Sequence, residues 1–418
     1  MMRWAYLCGD PGIPALGDKG AAIHVRQVVA ALRETGDEVR LLARGRPGAE
    51  PSAPAAAPGL WLSPENAPAP RPRAGGTAAP DLSRDLAALA GMRRFGRGAL
   101  PLLRAREPDL LYERLSLFGA AGLGLARRLD RPLLLEVNAP LVAEQARWRG
   151  LHLRATAARI EDEVLRGADR VLVVSEVLAG WVRGRGVPAG RILVLPNGVD
   201  PRPFATEPTD AASRRRALGL SDDPVLGFVG GLRPWHGVAG LLEAAALLER
   251  QGHPFQLLVV GDGPLRAELV DLAGSLGLAA RVHFTGAVPH GAVPSLLRLM
   301  DVAVAPYDAA PESSFYFSPL KVFEYMAAAR PVVAADIGQL RTLVRPESGG
   351  LLYRAGDAAA LAAAIGRLLD APEEARQMGR QGLATVLAQH TWARRVETLR
   401  AVGAEARRER AAGRRRAA

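Results

Sequence analysis

The segment Ser318-Pro319-Leu320-Lys321-Val322-Phe323-Glu324-Tyr325-Met326 sets a turn-former and a proline before a helical run, with a lysine near its start and a glutamate three residues on. The first N–H groups of a helix are unpaired and point outward, so a helix start holds anions. A cation and a carboxylate one turn apart can grip a phosphate and a sugar hydroxyl together; the plainer alternative is an intrahelical pair of small value. Of 54 Lys and Arg residues only Lys19 and Lys321 are lysine, and both stand beside glycine- or proline-marked loops. Three more loops of the second half have the same flavour. Gly230-Gly231-Leu232-Arg233-Pro234-Trp235-His236-Gly237 offers glycines that let backbone N–H groups approach a ligand, with Arg233 and His236 to supply positive charge. Gly261-Asp262-Gly263-Pro264 reads as a tight turn into a helix, and Gly286-Ala287-Val288-Pro289 is apolar enough to hold a base. One such glycine turn is usually only a turn; the spacing of all four together points to a site.

In the first half, Gly17-Asp18-Lys19-Gly20 precedes a helical run carrying His24, again an anion cradle. Glu136-Val137-Asn138-Ala139-Pro140 ends an apolar run and either reaches a ligand or closes the strand as a polar turn. Other chemistries are disfavoured. The early loop is not G-x-G-x-x-G, and the chain has no P-loop, no H-E-x-x-H, no clustered Cys/His ligands and no G-x-S-x-G elbow.

These loops need elements to hold them. Apolar runs at Trp4–Cys8, Val39–Ala43, Leu110–Tyr112, Pro132–Val137, Val171–Val174 and Ile192–Leu195 read as buried strands, with helical patterns such as Val25–Glu34 and Gly119–Leu129 between them. The rhythm restarts with Val225–Val229, Gln256–Val260, Val282–Thr285, Val302–Ala305 and Pro331–Ala334. Alternating β and α in 418 residues predicts two Rossmann-like, doubly wound parallel-sheet domains facing across a cleft, with ligands beyond the carboxyl ends of the strands. The turn-rich Pro196–Pro201 is the expected joint, dividing 1–200 from 201–389, and 390–418 is expected to cross back as a helix with a basic tail. The Pro-, Ala- and Gly-rich 45–80 is expected to be loop.

The net charge of +11 is uneven: residues 1–200 carry +7, 201–399 carry −1 and 400–418 carry +5. With 5% aromatic residues there are few stacking platforms for nucleic acid, so an anionic small molecule or membrane surface suits the asymmetry better. Residues 84–106 place Leu86, Leu89, Met92 and Phe95 near helical spacing beside Arg93, Arg94, Arg97, Arg104 and Arg106, which fits either a lipid-resting surface or a half-buried helix. The basic tail is expected to be a solvated end. A lone cysteine, Cys8, no apolar run of about 18 residues and no signal-peptide layout predict a cytoplasmic protein, at most peripheral to the inner face of a membrane.

Nearly the whole chain resembles the retaining GT-B glycosyltransferases of family 4. The resemblance rests on Gly17–Gly20 before a helix, Pro196-Asn197-Gly198-Val199-Asp200, Phe228–Gly237, Val259–Pro264, and Phe323–Ala327 before Arg330-Pro331-Val332-Val333. It implies transfer from a nucleotide-sugar donor, UDP- before GDP-linked, to an acceptor hydroxyl, with no metal and no further cofactor. It implies donor contacts at Gly20, Gly230, Gly231, His236, Gly263, Val288, Ser318, Pro319, Leu320 and Glu324, with Glu324 on the ribose. The family's two basic positions in the first loop fall on Gly231 and His236, so Arg233 is the implied diphosphate contact, with Lys321. The family's first glutamate falls on Tyr316; Glu312 or the backbone of 317–320 would then hold the donor sugar. Asn138 stands where relatives carry a histidine and is expected to orient substrate; His24, Glu136 and Glu144 are the candidate acceptor contacts. The rivals are a GT-B nucleotide-sugar epimerase and a nucleotide- or nucleic-acid-binding protein, the last marked by salt-sensitive binding without sugar transfer.

Overall fold

The structure is a computed structural model and describes residues 1–15, 17, 20–44, 60–63, 81–205, 211–308 and 315–417. The chain forms two units, Met1–Asn197 with Trp392–Ala418, and Gly198–Thr391.

Among the described residues the first unit has seven strands: β1 (Arg3–Cys8), β2 (Glu38–Arg44), β3 (Leu60–Ser63), β4 (Leu110–Arg114), β5 (Leu133–Val137), β6 (Arg170–Val173) and β7 (Ile192–Val194). Runs such as Leu133-Leu134-Leu135 are apolar on both faces because helices cover both sides of the sheet. The order is β3-β2-β1-β4-β5-β6-β7 with every pairing parallel, so winding reverses between β1 and β4. β3 pairs with β2 and corrects the expectation of loop throughout 45–80; the remainder of that segment lies outside the described residues. Four residues between prolines are too few to show a strand period.

The helix Leu82–Arg104 starts at Asp81, whose carboxylate accepts from the Ser83 and Arg84 N–H groups. Met92 and Phe95 enter the core while Leu82 and Leu86 and the five arginines face outward, so much of the apolar stripe belongs to the fold. The helix Trp392–Ala417 also belongs to this unit. Trp392 donates to Gln27 Oε1, Arg400 meets Asp37 at 2.9 Å, Arg407 meets Asp109 at 3.1 Å, and Arg410 reaches Asp130 and Asp169. The tail is therefore an ion-paired helix through Arg410, which corrects the expected solvated end.

The second unit holds β8 (Val225–Val229), β9 (Gln256–Val260), β10 (Val282–Gly286), β11 (Val302–Ala305), β12 (Val332–Ala335) and β13 (Gly350–Tyr353). All pairings are parallel in the order β10-β9-β8-β11-β12-β13, with the switch between β8 and β11. One apolar core runs through the unit. Ligands of such sheets sit outside the carboxyl ends of the strands at the switch; here that is where Gly230 follows β8 and Pro306 follows β11. Among the described residues no helix is long and apolar enough to cross a membrane.

Candidate functional site

In the second unit the site is assembled around the end of β8. Gly230 has φ 148°, a conformation that residues with a side chain rarely adopt, and a Cβ there would stand 2.8 Å from Lys321 Nζ and push the ammonium aside. The second loop packs on the first backbone to backbone: a Cβ on Gly263 would fall 2.3 Å from the Leu232 carbonyl oxygen, and the Leu232 N–H donates to the Asp262 carbonyl at 2.9 Å. Gly263 thus has a packing role that is independent of any ligand.

The helix Leu320–Ala327 begins after Pro319 with no side-chain cap, beside the buried Ser318. Tyr325 pins it: its hydroxyl accepts from the Val229 N–H at 2.8 Å, tying the helix to the last residue of β8. Lys321 Nζ is buried and has no hydrogen-bond partner among the described residues. It lies 4.1 Å from the Phe228 ring centre and 5.2 Å from that of Tyr307. Burial lowers its pKa to about 7, and the Glu324 charge opposes the shift. No intrahelical ion pair forms. Glu324 Oε1 instead sits 2.9 Å from Nε2 of His290, in the turn that follows Pro289. His290 was not among the expected site residues; its only sign in the sequence is a polar side chain directly after an apolar loop.

His236 departs from expectation. Burial, reinforced by Lys321, lowers its pKa to about 3, and Nδ1 bonds the Gly231 carbonyl oxygen. It is neutral, with Nδ1–H the donor, and supplies no positive charge; that falls to Lys321 and to Arg233. Arg233 is exposed, its guanidinium 5.9 Å from the Trp235 ring centre. Val288 is half-buried and packs on the core. Tyr316 is half-buried against Phe317, ring centres 4.5 Å apart, and Glu312 lies outside the described residues.

In the first unit, Gly20 opens the helix Gly20–Glu34 at the surface, and Arg26 holds the preceding turn by donating to the Ala15 and Gly17 carbonyls. Lys19 lies outside the described residues. His24, one turn in, is buried with Nε2 2.9 Å from Glu136 Oε1 and its ring against Trp392. Glu136 also accepts from Arg114, from the Tyr112 hydroxyl at 2.6 Å and from Asn138 Nδ2, with the Tyr6 hydroxyl at 3.5 Å. Burial pushes its pKa up, but His24, Arg114 and the hydrogen bonds win and hold the carboxyl well below the usual carboxylate range. Both oxygens are taken inside the unit, which corrects the placing of Glu136 as an acceptor contact: it is the hub that fixes His24, Arg114 and Asn138. Glu144 lies half-buried in the first turn of the helix Leu141–Trp148. Among the described residues no cluster of His, Cys, Asp and Glu could hold a metal ion.

Residues 19–202 match the model of Glycosyltransferase Family 4, and residues 223–371 that of Glycosyl transferases group 1. The 2-deoxystreptamine N-acetyl-D-glucosaminyltransferase of Streptomyces fradiae is 31% identical over 396 residues, covering 88% of each chain. The alpha-D-kanosaminyltransferase of Streptomyces kanamyceticus is 29% identical over 265 residues, which span 61% of this chain and 65% of that protein. Among solved structures, sucrose-phosphate synthase from Thermosynechococcus elongatus matches with a TM-score of 0.75 at 25% identity, covering 96% of this chain and 99% of that one. Two doubly wound parallel sheets, two family models that between them match residues 19–202 and 223–371, and a 31% identical relative aligned over 88% of the chain leave one conclusion: the chain belongs to glycosyltransferase family 4 and has the GT-B fold.

Proposed function

We propose that this chain moves a sugar from a nucleoside-diphosphate sugar, UDP-linked in the first place and GDP-linked in the second, to an acceptor hydroxyl, with retention of configuration and without a metal ion. The observation that carries the reading is Lys321: a buried amine with no hydrogen-bond partner among the described residues, at the switch point of the second unit, beside Gly230 and one turn from Glu324. Breaking the sugar–phosphate bond builds negative charge on the departing diphosphate. Lys321, Arg233 and the unpaired N–H groups of the helix start stabilise that charge in place, with no reorganisation at the moment of reaction. Glu324 takes the ribose hydroxyls. The sugar centre becomes oxocarbenium-like, the acceptor hydroxyl attacks on the face the diphosphate leaves, and the departing phosphate oxygen takes its proton. Asn138, held by Glu136, orients the acceptor without acting as a base. The relative named for 2-deoxystreptamine supports a small polyhydroxylated molecule as acceptor.

The deciding experiment is a binding and turnover screen of UDP-, GDP-, ADP- and dTDP-sugars. The reading falls if none binds, and gives way to an epimerase if donor is converted without glycoside. Contact with an anionic membrane surface is a narrower extension, supported by exposed Leu82 and Leu86 on the helix that turns Arg93, Arg94, Arg97 and Arg104 outward. Flotation with anionic liposomes at low salt tests it, and absence of binding removes it.

A further inference from the structure

The Glu324–His290 pair is the feature of the donor site that the expected residues do not account for. The two residues lie 34 positions apart, and the contact joins the turn after β10 to the helix Leu320–Ala327. Their side chains are 27% and 14% exposed, for His290 and Glu324, so the pair sits at the rim with a solvent-facing side. Glu324 turns to His290 although Lys321 is on its own helix, and Lys321 forms no bond to it. One hydrogen bond to Oε1 leaves the second lone pair of Oε1 and both of Oε2. A carboxylate so held can still accept from two neighbouring hydroxyls, and its rotamer is fixed before any ligand arrives. Fixing a flexible side chain in advance removes part of the ordering cost of binding. The other end of the bond is equally placed: the Ala292 N–H donates to the Pro289 carbonyl at 2.9 Å, so His290 stands on a closed turn at the end of the loop expected to hold the base.

We propose that His290 is a positioning residue for nucleotide recognition, holding the Glu324 carboxylate for the ribose hydroxyls and tying the base-facing loop to the helix start. The proposal rests on the donor site described above. The test is calorimetric binding of UDP and 2′-deoxy-UDP (or the GDP pair, if the screen selects guanine) to the wild type, His290→Ala and His290→Gln. His290→Ala is expected to weaken UDP about tenfold, the size of one hydrogen bond to a charged group. It should weaken the 2′-deoxy nucleotide less, so that the advantage conferred by the 2′-hydroxyl shrinks. His290→Gln, which keeps an N–H donor, should recover part of the loss, and donor KM should rise more than kcat falls. Unchanged UDP binding in His290→Ala overturns the proposal. Tighter UDP binding overturns it too, because His290 would then be competing for Glu324. If the wild type binds no nucleoside diphosphate, the donor site itself falls, and a melting curve on each variant separates loss of binding from loss of fold.

Discussion

Each unit buries a charged side chain close to the carboxyl ends of its strands, and the two treat that charge in opposite ways. Glu136, at the end of β5, is enclosed by His24, Arg114, Tyr112 and Asn138, and its anionic form is favoured far below the ordinary range. Lys321 lies against the rings of Phe228 and Tyr307 and has no hydrogen-bond partner among the described residues, so burial erodes its charge. A buried charge with every partner supplied by the chain is framework. A buried charge whose partner is missing is poised for one from outside, and a diphosphate is the natural candidate.

The comparison can be broken at several points. Lys321→Met should lower kcat/KM for the donor by at least about a hundredfold, the scale of losing one preorganised transition-state contact. The same variant should melt no earlier than the wild type, because a buried ammonium with no hydrogen-bond partner among the described residues is replaced by an apolar chain. A variant that lost stability but kept turnover would invert the assignment. Glu136→Leu should do the reverse to the fold, costing about 3–5 kcal/mol in urea unfolding by stranding the Arg114 guanidinium. A cost near zero would show that the hub is not structural.

The two charges also give opposite pH signatures. The folded pKa of Lys321 lies below its unfolded value, so between about 7 and the ordinary lysine range the unfolded chain binds more protons, and stability should rise with pH. Over the same window nucleotide affinity should fall as the ammonium is lost, and Lys321→Met should flatten both trends. Glu136 contributes stability above the ordinary glutamate pKa that is lost as pH falls through its much lower folded value. Equilibrium unfolding from pH 3 to 10 on both variants resolves the two windows. The smallest effect is expected in the first loop: Arg233→Ala should raise donor KM about tenfold, as an exposed charge-assisted contact would, while His236→Gln should change donor KM by less than about threefold, because the ring is already neutral. A large loss in His236→Gln would restore its expected cationic role.

Much of the scaffold was legible in the sequence. Val225–Val229, Gln256–Val260 and Val302–Ala305 are strands over the same residues as the apolar runs, because a strand buried on both faces has no polar positions to blur its ends. β3 and β13 were not, since four residues flanked by proline or glycine carry too little pattern. At the site, spacing placed Lys321 and Glu324 on one helix start, yet their partners depend on what folds against that helix. His290 arrives from 34 residues away, and the charge of His236 is decided by burial that no local motif encodes. The arginines of the last helix looked like a solvated tail because Asp37, Asp109, Asp130 and Asp169 are hundreds of residues earlier.

That last helix also fixes an order of events. The second unit is one uninterrupted stretch, Gly198–Thr391, whereas the first needs residues from both sides of it. During synthesis, which adds about 5–20 residues per second, the second unit can close its sheet while the first still waits for Trp392 to reach Gln27 and Arg400 to reach Asp37. The unit that starts on the ribosome first is the one that finishes last. Until the final helix arrives, Asp37 and the face around Trp4 that the helix covers are left for a chaperone, or a protease, to find.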